Sequence, residues 1–111
     1  MIALHVTRAA ALSIVDQADY YRQQSGSALS GRWESAVDQG VHSLLHSPER
    51  GALCRFRSER LAGARWILVP GFPKHIVFYR YLSEARTILI IQVLHSARNL
   101  EVVLGNEEET K

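Results

Sequence analysis

The chain has 111 residues, a formal net charge of +2 and a mean hydropathy of -0.07, which suits one domain with its own hydrophobic core. Its single cysteine, Cys54, excludes an internal disulfide, and no Cys and His spacing typical of a metal site occurs, so we expect neither a metal nor an organic cofactor. No apolar run approaches the ~20 residues of a membrane span, and the short apolar start is unlike a signal peptide, which predicts a cytoplasmic protein with no membrane partner.

The first predicted element is a strand over residues 2–6, where larger apolar residues alternate with Ala3 and His5. Thr7 follows, and its hydroxyl can cap a helix by accepting the backbone N–H groups of the first turn. The helix runs over residues 8–24, because apolar residues recur there at steps of three and four. The chain therefore begins with a strand that leads into an amphipathic helix.

Gly26 ends this helix, because glycine accepts the left-handed conformation that commonly terminates helices. A second apolar stripe predicts a helix that starts at Ser27 or Ser30, runs to Leu45 and ends before Pro48. The two helices are joined by a short connection, so we expect a helical hairpin.

Three strands are predicted in the second half of the chain, over residues 65–69, 74–82 and 87–94, after a long basic connection. Short connections make consecutive strands antiparallel neighbours. The third is almost unbroken Ile, Leu and Val, as in a strand covered on both faces. The order strand-helix-helix-strand-strand-strand predicts an α+β fold, with the helical hairpin packed on a mostly antiparallel four-stranded sheet.

Side chains alternate along the strand over residues 74–82. One face carries His75, Val77, Tyr79 and Tyr81, and the other carries Ile76, Phe78 and Arg80. One face must meet the helices, so the other is left with aromatic, His and Arg groups. We expect both tryptophans, Trp33 and Trp66, in the core between helices and sheet.

Positive charge is concentrated in the centre of the chain. Residues 50–80 contain six Arg and one Lys against one acidic residue, Glu59. Arginine suits bidentate pairing with carboxylate or phosphate, so this segment indicates either an anionic partner or a solvated Arg-rich surface. Acidic residues cluster instead in residues 106–111, which we expect to be a flexible tail after a single domain over residues 1–105.

Four short motifs stand out among the predicted strands. They are Arg65-Trp66, Phe72-Pro73, Val77-Phe78-Tyr79-Arg80, and the stretch Val93-Leu94-His95-Ser96-Ala97-Arg98-Asn99-Leu100. Together with the element order, these motifs resemble the RelE/ParE superfamily of bacterial toxins, and most closely its ParE branch.

The resemblance implies the toxin of a type II toxin–antitoxin system, neutralised by a cognate antitoxin whose disordered tail wraps it, in a complex that can reach higher order. The ParE branch is associated with plasmid stabilisation and inhibition of DNA gyrase, whereas the RelE branch cleaves mRNA on the ribosome. A third hypothesis is an inactive orphan toxin that only binds an antitoxin.

Cleavage of RNA through its 2′-hydroxyl needs a general base, a general acid and a cation to stabilise the charged phosphorane. The resemblance to RelE-like nucleases places such groups at His75, Tyr79, His95 and Arg98. The arginine expected at the start of the third strand, however, falls near Ile76, which cannot bind phosphate. The sequence therefore favours a protein that binds its target over an endoribonuclease.

For a binding toxin, we predict a target-binding surface of Arg65, Arg80, His95 and Arg98, with the arginines contacting anionic or acidic groups and His95 forming hydrogen bonds. The structural alternatives are that His95 hydrogen-bonds a backbone carbonyl at the sheet edge and that Arg98 pairs with Glu101, one helical turn away.

Overall fold

The computed structural model describes residues 1–54 and 63–95. In chain order the elements are β1 (Ala3–Val6), α1 (Arg8–Ser25), α2 (Ser27–Ser43), β2 (Ala52–Leu53), β3 (Arg65–Val69), β4 (Phe72–Leu82) and β5 (Thr87–His95). Residues 55–62 of the basic connection lie outside the described residues. So do residues 96–111, which include the predicted site residue Arg98 and the predicted tail over residues 106–111.

The strands form one five-stranded sheet in the order β1-β5-β4-β3-β2. β1 runs parallel to β5, and every other neighbouring pair is antiparallel. The predicted α+β class, with a helical hairpin on a mostly antiparallel sheet, is confirmed, but the sheet has five strands and not four. The extra strand, β2, has two residues and is too short to show an alternating pattern in the sequence.

The helix boundaries follow the predicted capping residues. The Thr7 hydroxyl accepts a hydrogen bond from the Ala10 N–H at 3.2 Å and donates one to the Ile91 carbonyl at 2.9 Å, so this side chain ties the start of α1 to β5. Gly26 has φ of 90°, a value that favours glycine, and it separates α1 from α2 by one residue. This tight connection makes the helices an antiparallel pair.

A β-bulge keeps β5 in register with the core. Phe78 of β4 pairs with Gln92, but the next residue, Tyr79, pairs with Ile90, so Ile91 is an extra residue on β5. Because of this insertion, Ile90 and the residue three further on, Val93, both face the helices and are buried.

The helices cover the face of β4 that carries His75, Val77 and Tyr79, and Trp33 of α2 is fully buried against this face. The opposite face carries a second buried cluster, Ala64, Phe78 and Leu94, with Trp66 and Ile76 packed beside it. Trp33 therefore lies in the predicted core, whereas the placement of Trp66 between helices and sheet is wrong. Trp66 pairs across the strands with Phe78, and residues paired in this way share a face.

Candidate functional site

The predicted site residues do not form one surface. His75, Tyr79, Arg65 and His95 all lie on the side of the sheet that faces the helices, since Arg65 pairs with Tyr79 and His95 pairs with His75 across neighbouring strands. Arg80 lies on the opposite face. Of the predicted target-binding residues that the structure describes, Arg65 and His95 therefore lie on one face and Arg80 on the other.

His75 and His95 meet where β4 begins and β5 ends. His75 is 3% exposed, and its Nε2 atom is 2.8 Å from the Tyr21 hydroxyl of α1. Its ring lies 4.4 Å from Trp33 and 4.9 Å from His95, centroid to centroid, with the two imidazoles nearly perpendicular. His75 is therefore part of a packed aromatic cluster, and the partly exposed His95 forms its outer edge.

Tyr79 belongs to a different hydrogen-bond network, which includes residues 48–51 after the end of α2. Its side chain is fully buried, and its hydroxyl donates to the Pro48 carbonyl at 2.8 Å and accepts from the Gly51 N–H at 2.9 Å. The guanidinium of Arg65 donates to the carbonyls of Glu49 and Gly51 at 3.0 and 2.8 Å. These two side chains fix residues 48–51, where the chain enters β2.

Burial raises the pKa of Tyr79 above its usual 10.0, and the hydrogen bond from Gly51 opposes that rise only in part. On the other face of the sheet, burial likewise raises the pKa of the Cys54 thiol above 9.0, against the attraction of the Arg80 guanidinium. Both groups thus favour the protonated form in the folded protein.

We expect stability to fall in alkaline solution as a result. The unfolded state loses these two protons first, so the stabilisation is fully present below about pH 9 and is lost as the pH rises through the folded-state pKa values. Urea midpoints measured between about pH 8 and pH 11 should decline, and Tyr79→Phe should remove part of the decline above about pH 10. An unchanged profile in this variant would contradict the assignment to Tyr79.

Three cavities adjoin at the end of the sheet that carries His75 and His95. The first, of about 220 Å³, lies beside α1 and is lined in part by Asp16, Tyr20 and His95. The second, also about 220 Å³, lies over Tyr21 and Lys74. The third, of about 440 Å³, lies between α2 and the turn from β3 to β4.

Sequence reasoning missed most of this end of the molecule. The helical periodicity predicts apolar stripes on both helices, but it does not show that the rings of Tyr21 and Trp33 both reach His75. The adjacent pair Tyr20-Tyr21 was the one indication in the sequence of an aromatic residue exposed at this end. Only one of two consecutive helical residues can face the core, and Tyr20 is 45% exposed.

Within residues 1–54 and 63–95, no group of three or more His, Cys, Asp or Glu side chains is placed to hold a metal ion. None of the helices there combines the length and the apolar character needed to cross a membrane.

The fold is similar to chains in two solved structures of toxin–antitoxin systems. The structure resembles a chain of the chromosomal ParDE toxin–antitoxin system of P. aeruginosa with a TM-score of 0.70 and 19% identity, covering 86% of this chain and 96% of that one. It also resembles a chain of the RelBE2 toxin–antitoxin complex of Mycobacterium tuberculosis, with a TM-score of 0.57 and 20% identity, covering 85% and 96%. At these identities the likeness shows the fold.

The family follows from the sequence itself. The model of the family described as ParE toxin of type II toxin–antitoxin system, parDE, matches residues 4–100, and the chain belongs to this family. The recognition of a RelE/ParE toxin of the ParE branch is thereby confirmed. Among proteins with curated descriptions, none matches the chain.

Proposed function

We propose that this ParE-family toxin acts by binding a macromolecular target, with DNA gyrase the first candidate, and that a cognate antitoxin neutralises it in the cytoplasm. The observation that carries the proposal is the burial and hydrogen bonding of the Tyr79 side chain. Its hydroxyl is fully buried and is engaged by both the Gly51 N–H and the Pro48 carbonyl. A general acid or base must reach the proton that it transfers, and this hydroxyl has no such access.

His75 supports the same conclusion. It is nearly as buried as Tyr79, and Tyr21 and Trp33 pack against its ring. Two of the four groups that a RelE-like nuclease would use are thus part of the folded interior. For target binding we propose Arg65, Arg80, His95 and Arg98. Because Arg80 lies on the opposite face of the sheet from Arg65 and His95, a target that contacts all three must reach both faces.

One observation favours the alternative, a ribosome-dependent mRNA endoribonuclease. His95 is partly exposed and lines an open cavity together with Asp16 and Tyr20. Imidazole can exchange a proton near neutral pH, so this cavity holds a competent acid or base. The RelBE2 complex has the same fold, which fits this alternative as well.

Two assays with the purified protein separate these functions. We expect it to inhibit a gyrase supercoiling reaction and to leave mRNA intact in a translating extract. Arg98→Ala should weaken the inhibition about tenfold or more without changing the thermal unfolding midpoint, since loss of one charged contact at an interface commonly has an effect of that size.

The opposite results are equally clear. Cuts at regular codon positions in the mapped mRNA ends would overturn the binding proposal in favour of the nuclease. Inactivity in both assays would support the inactive orphan toxin. An unfolded Arg98→Ala variant would show that Arg98 has a structural role. Restoration of growth on co-expression of a candidate antitoxin gene would support neutralisation by an antitoxin.

A further inference from the structure

We propose that this protein forms a weak, symmetric dimer in which α1 of one copy packs antiparallel against α1 of a second copy. The surface that makes this contact is the side of α1 that points away from the sheet. Two apolar residues lie at its centre and three charged residues flank them; we call this set the α1 seam, and it consists of Arg8, Leu12, Val15, Asp19 and Arg22. The proposal goes beyond the proposed function, since it depends neither on the target nor on an antitoxin.

The α1 seam has the spacing of a surface that packs against another helix. Its five residues follow one another at steps of 4, 3, 4 and 3 residues, the spacing that keeps one row of side chains facing a partner helix in a coiled coil. The side of α1 that faces its own core is a different one, marked by the buried Ala10 and Ala18. Leu12 comes two residues after Ala10 and therefore lies about 200° around the helix from it. The helix thus has a second row of side chains suited to helix packing, on its outer side.

The centre of the α1 seam is an apolar patch exposed to solvent. Leu12 is 51% exposed and Val15 is 50% exposed, and residues three apart on a helix are neighbours on its surface. Single apolar side chains are common on protein surfaces and need no partner. Two that adjoin, at the spacing of a coiled coil, can be removed from water together by a second helix.

The charges of the α1 seam select a second copy in the antiparallel direction. A twofold axis midway between Leu12 and Val15 packs each of these residues against the other in the partner copy. The same axis brings Arg8 opposite Asp19, because Arg8 precedes Leu12 by four residues and Asp19 follows Val15 by four. The dimer therefore contains two apolar contacts and two ion pairs. A parallel arrangement would instead place each charge opposite its own copy, where like charges repel.

Asp19 has the capacity for this additional contact. Its carboxylate accepts a hydrogen bond of 2.7 Å from the Arg22 guanidinium, one turn further along α1, and both side chains are about half exposed. An ionised carboxylate has two oxygens, so it can accept from a second guanidinium at the same time. The contact with Arg22 also holds the carboxylate in place, which reduces the entropy lost when the second copy binds.

The length of the α1 seam sets the strength of the dimer. Arg8 and Asp19 are 11 residues apart, which is about 16 Å along a helix. A contact of this length buries less than the roughly 1,200 Å² at which stable interfaces begin. We therefore expect a dissociation constant of about 10–100 µM.

Sedimentation equilibrium of the purified protein tests the proposal, at concentrations from about 5 to 500 µM, on either side of the expected dissociation constant. The mean mass should rise from 12.5 kDa towards twice that value. Leu12→Lys places an ammonium group at both apolar contacts and should weaken the dimer by about tenfold or more. The matched control is Leu82→Lys, the same change at a leucine of similar exposure at the end of β4, and it should leave the dissociation constant unchanged.

An exchange of charges tests the antiparallel direction. Arg8→Glu alone places carboxylates opposite each other, and Asp19→Arg alone places guanidinium groups opposite each other, so each should weaken the dimer about tenfold. The double variant Arg8→Glu, Asp19→Arg restores opposite charges and should return to within about threefold of the wild-type affinity. The thermal unfolding midpoint should change little in all three variants, because these side chains are exposed.

Four results would overturn the proposal. The first is a constant mass of 12.5 kDa over the whole concentration range. The second is a dimer that Leu12→Lys leaves intact, which would place the contact on another surface. The third is a failure of the charge-exchange double variant to recover the affinity that each single variant loses, which would exclude the antiparallel pairing. The fourth is a monomeric wild type whose Leu12→Lys variant loses affinity for a candidate antitoxin, which would assign the α1 seam to that partner.

Discussion

Replacement of Gly51 by Ala is expected to destabilise the protein by about 2–3 kcal/mol, in the upper part of the range typical of forcing extra volume into a packed interior. A Cβ atom at this position would lie 2.6 Å from the Tyr79 hydroxyl, 2.8 Å from the ring of the same residue and 2.9 Å from the Trp66 carbonyl oxygen. Two of these three atoms belong to a buried ring system, and the third is backbone. The Tyr79 hydroxyl cannot move away without weakening its hydrogen bonds to Gly51 and Pro48.

Gly31→Ala is the matched control, because the same methyl group would meet nothing within 4 Å there. Gly31 lies inside α2, where alanine is favoured over glycine by about 1 kcal/mol. The midpoint of urea unfolding, followed by tryptophan fluorescence, should therefore shift to lower urea for Gly51→Ala and to higher urea for Gly31→Ala. A Gly51→Ala midpoint within experimental error of the wild type would refute the close packing of Tyr79 on this segment.

The double variant Gly51→Ala, Tyr79→Phe separates the strain caused by the Tyr79 hydroxyl from the strain caused by its ring. Phenylalanine removes the hydroxyl oxygen at 2.6 Å but keeps the ring carbon at 2.8 Å. The second substitution should therefore recover only part of the loss, and the two effects should be non-additive because the groups touch.

The elements of this fold are largely encoded by local sequence. The predicted capping hydroxyl of Thr7 and the break at Gly26 set the helix boundaries, and the alternation in β4 correctly grouped His75 with Tyr79. Such features depend on neighbours three or four residues away. For that reason composition and periodicity were enough to predict them.

The candidate site depends on contacts between distant parts of the chain, and these were not predictable. Alternation showed that His75 and Tyr79 share a face of β4, but not that this face lies under the helices. Tyr79 contacts Gly51, 28 residues away, and His75 contacts Tyr21, 54 residues away. Both pairings depend on how the hairpin packs on the sheet, which no local pattern contains.

Tyr79→Phe tests the distinction between a structural and a catalytic tyrosine. The variant leaves the Gly51 N–H and the Pro48 carbonyl without their shared partner in a buried position. Each unsatisfied buried group costs about 1–3 kcal/mol, so we expect a loss of about 2–4 kcal/mol in the free energy of unfolding. Tyr81→Phe, on the same face of β4 and half-buried, should change it by less than about 0.5 kcal/mol.

Activity per folded molecule decides the question. If Tyr79 is structural, the folded fraction of Tyr79→Phe inhibits supercoiling as well as the wild type does, because the phenol has no access to a target. If instead the hydroxyl moves a proton, cleavage of mRNA per folded molecule falls by a factor of about 10²–10⁴. Measuring both quantities on one preparation therefore distinguishes a toxin that binds from one that cuts, and it does so at the residue where the two interpretations differ most.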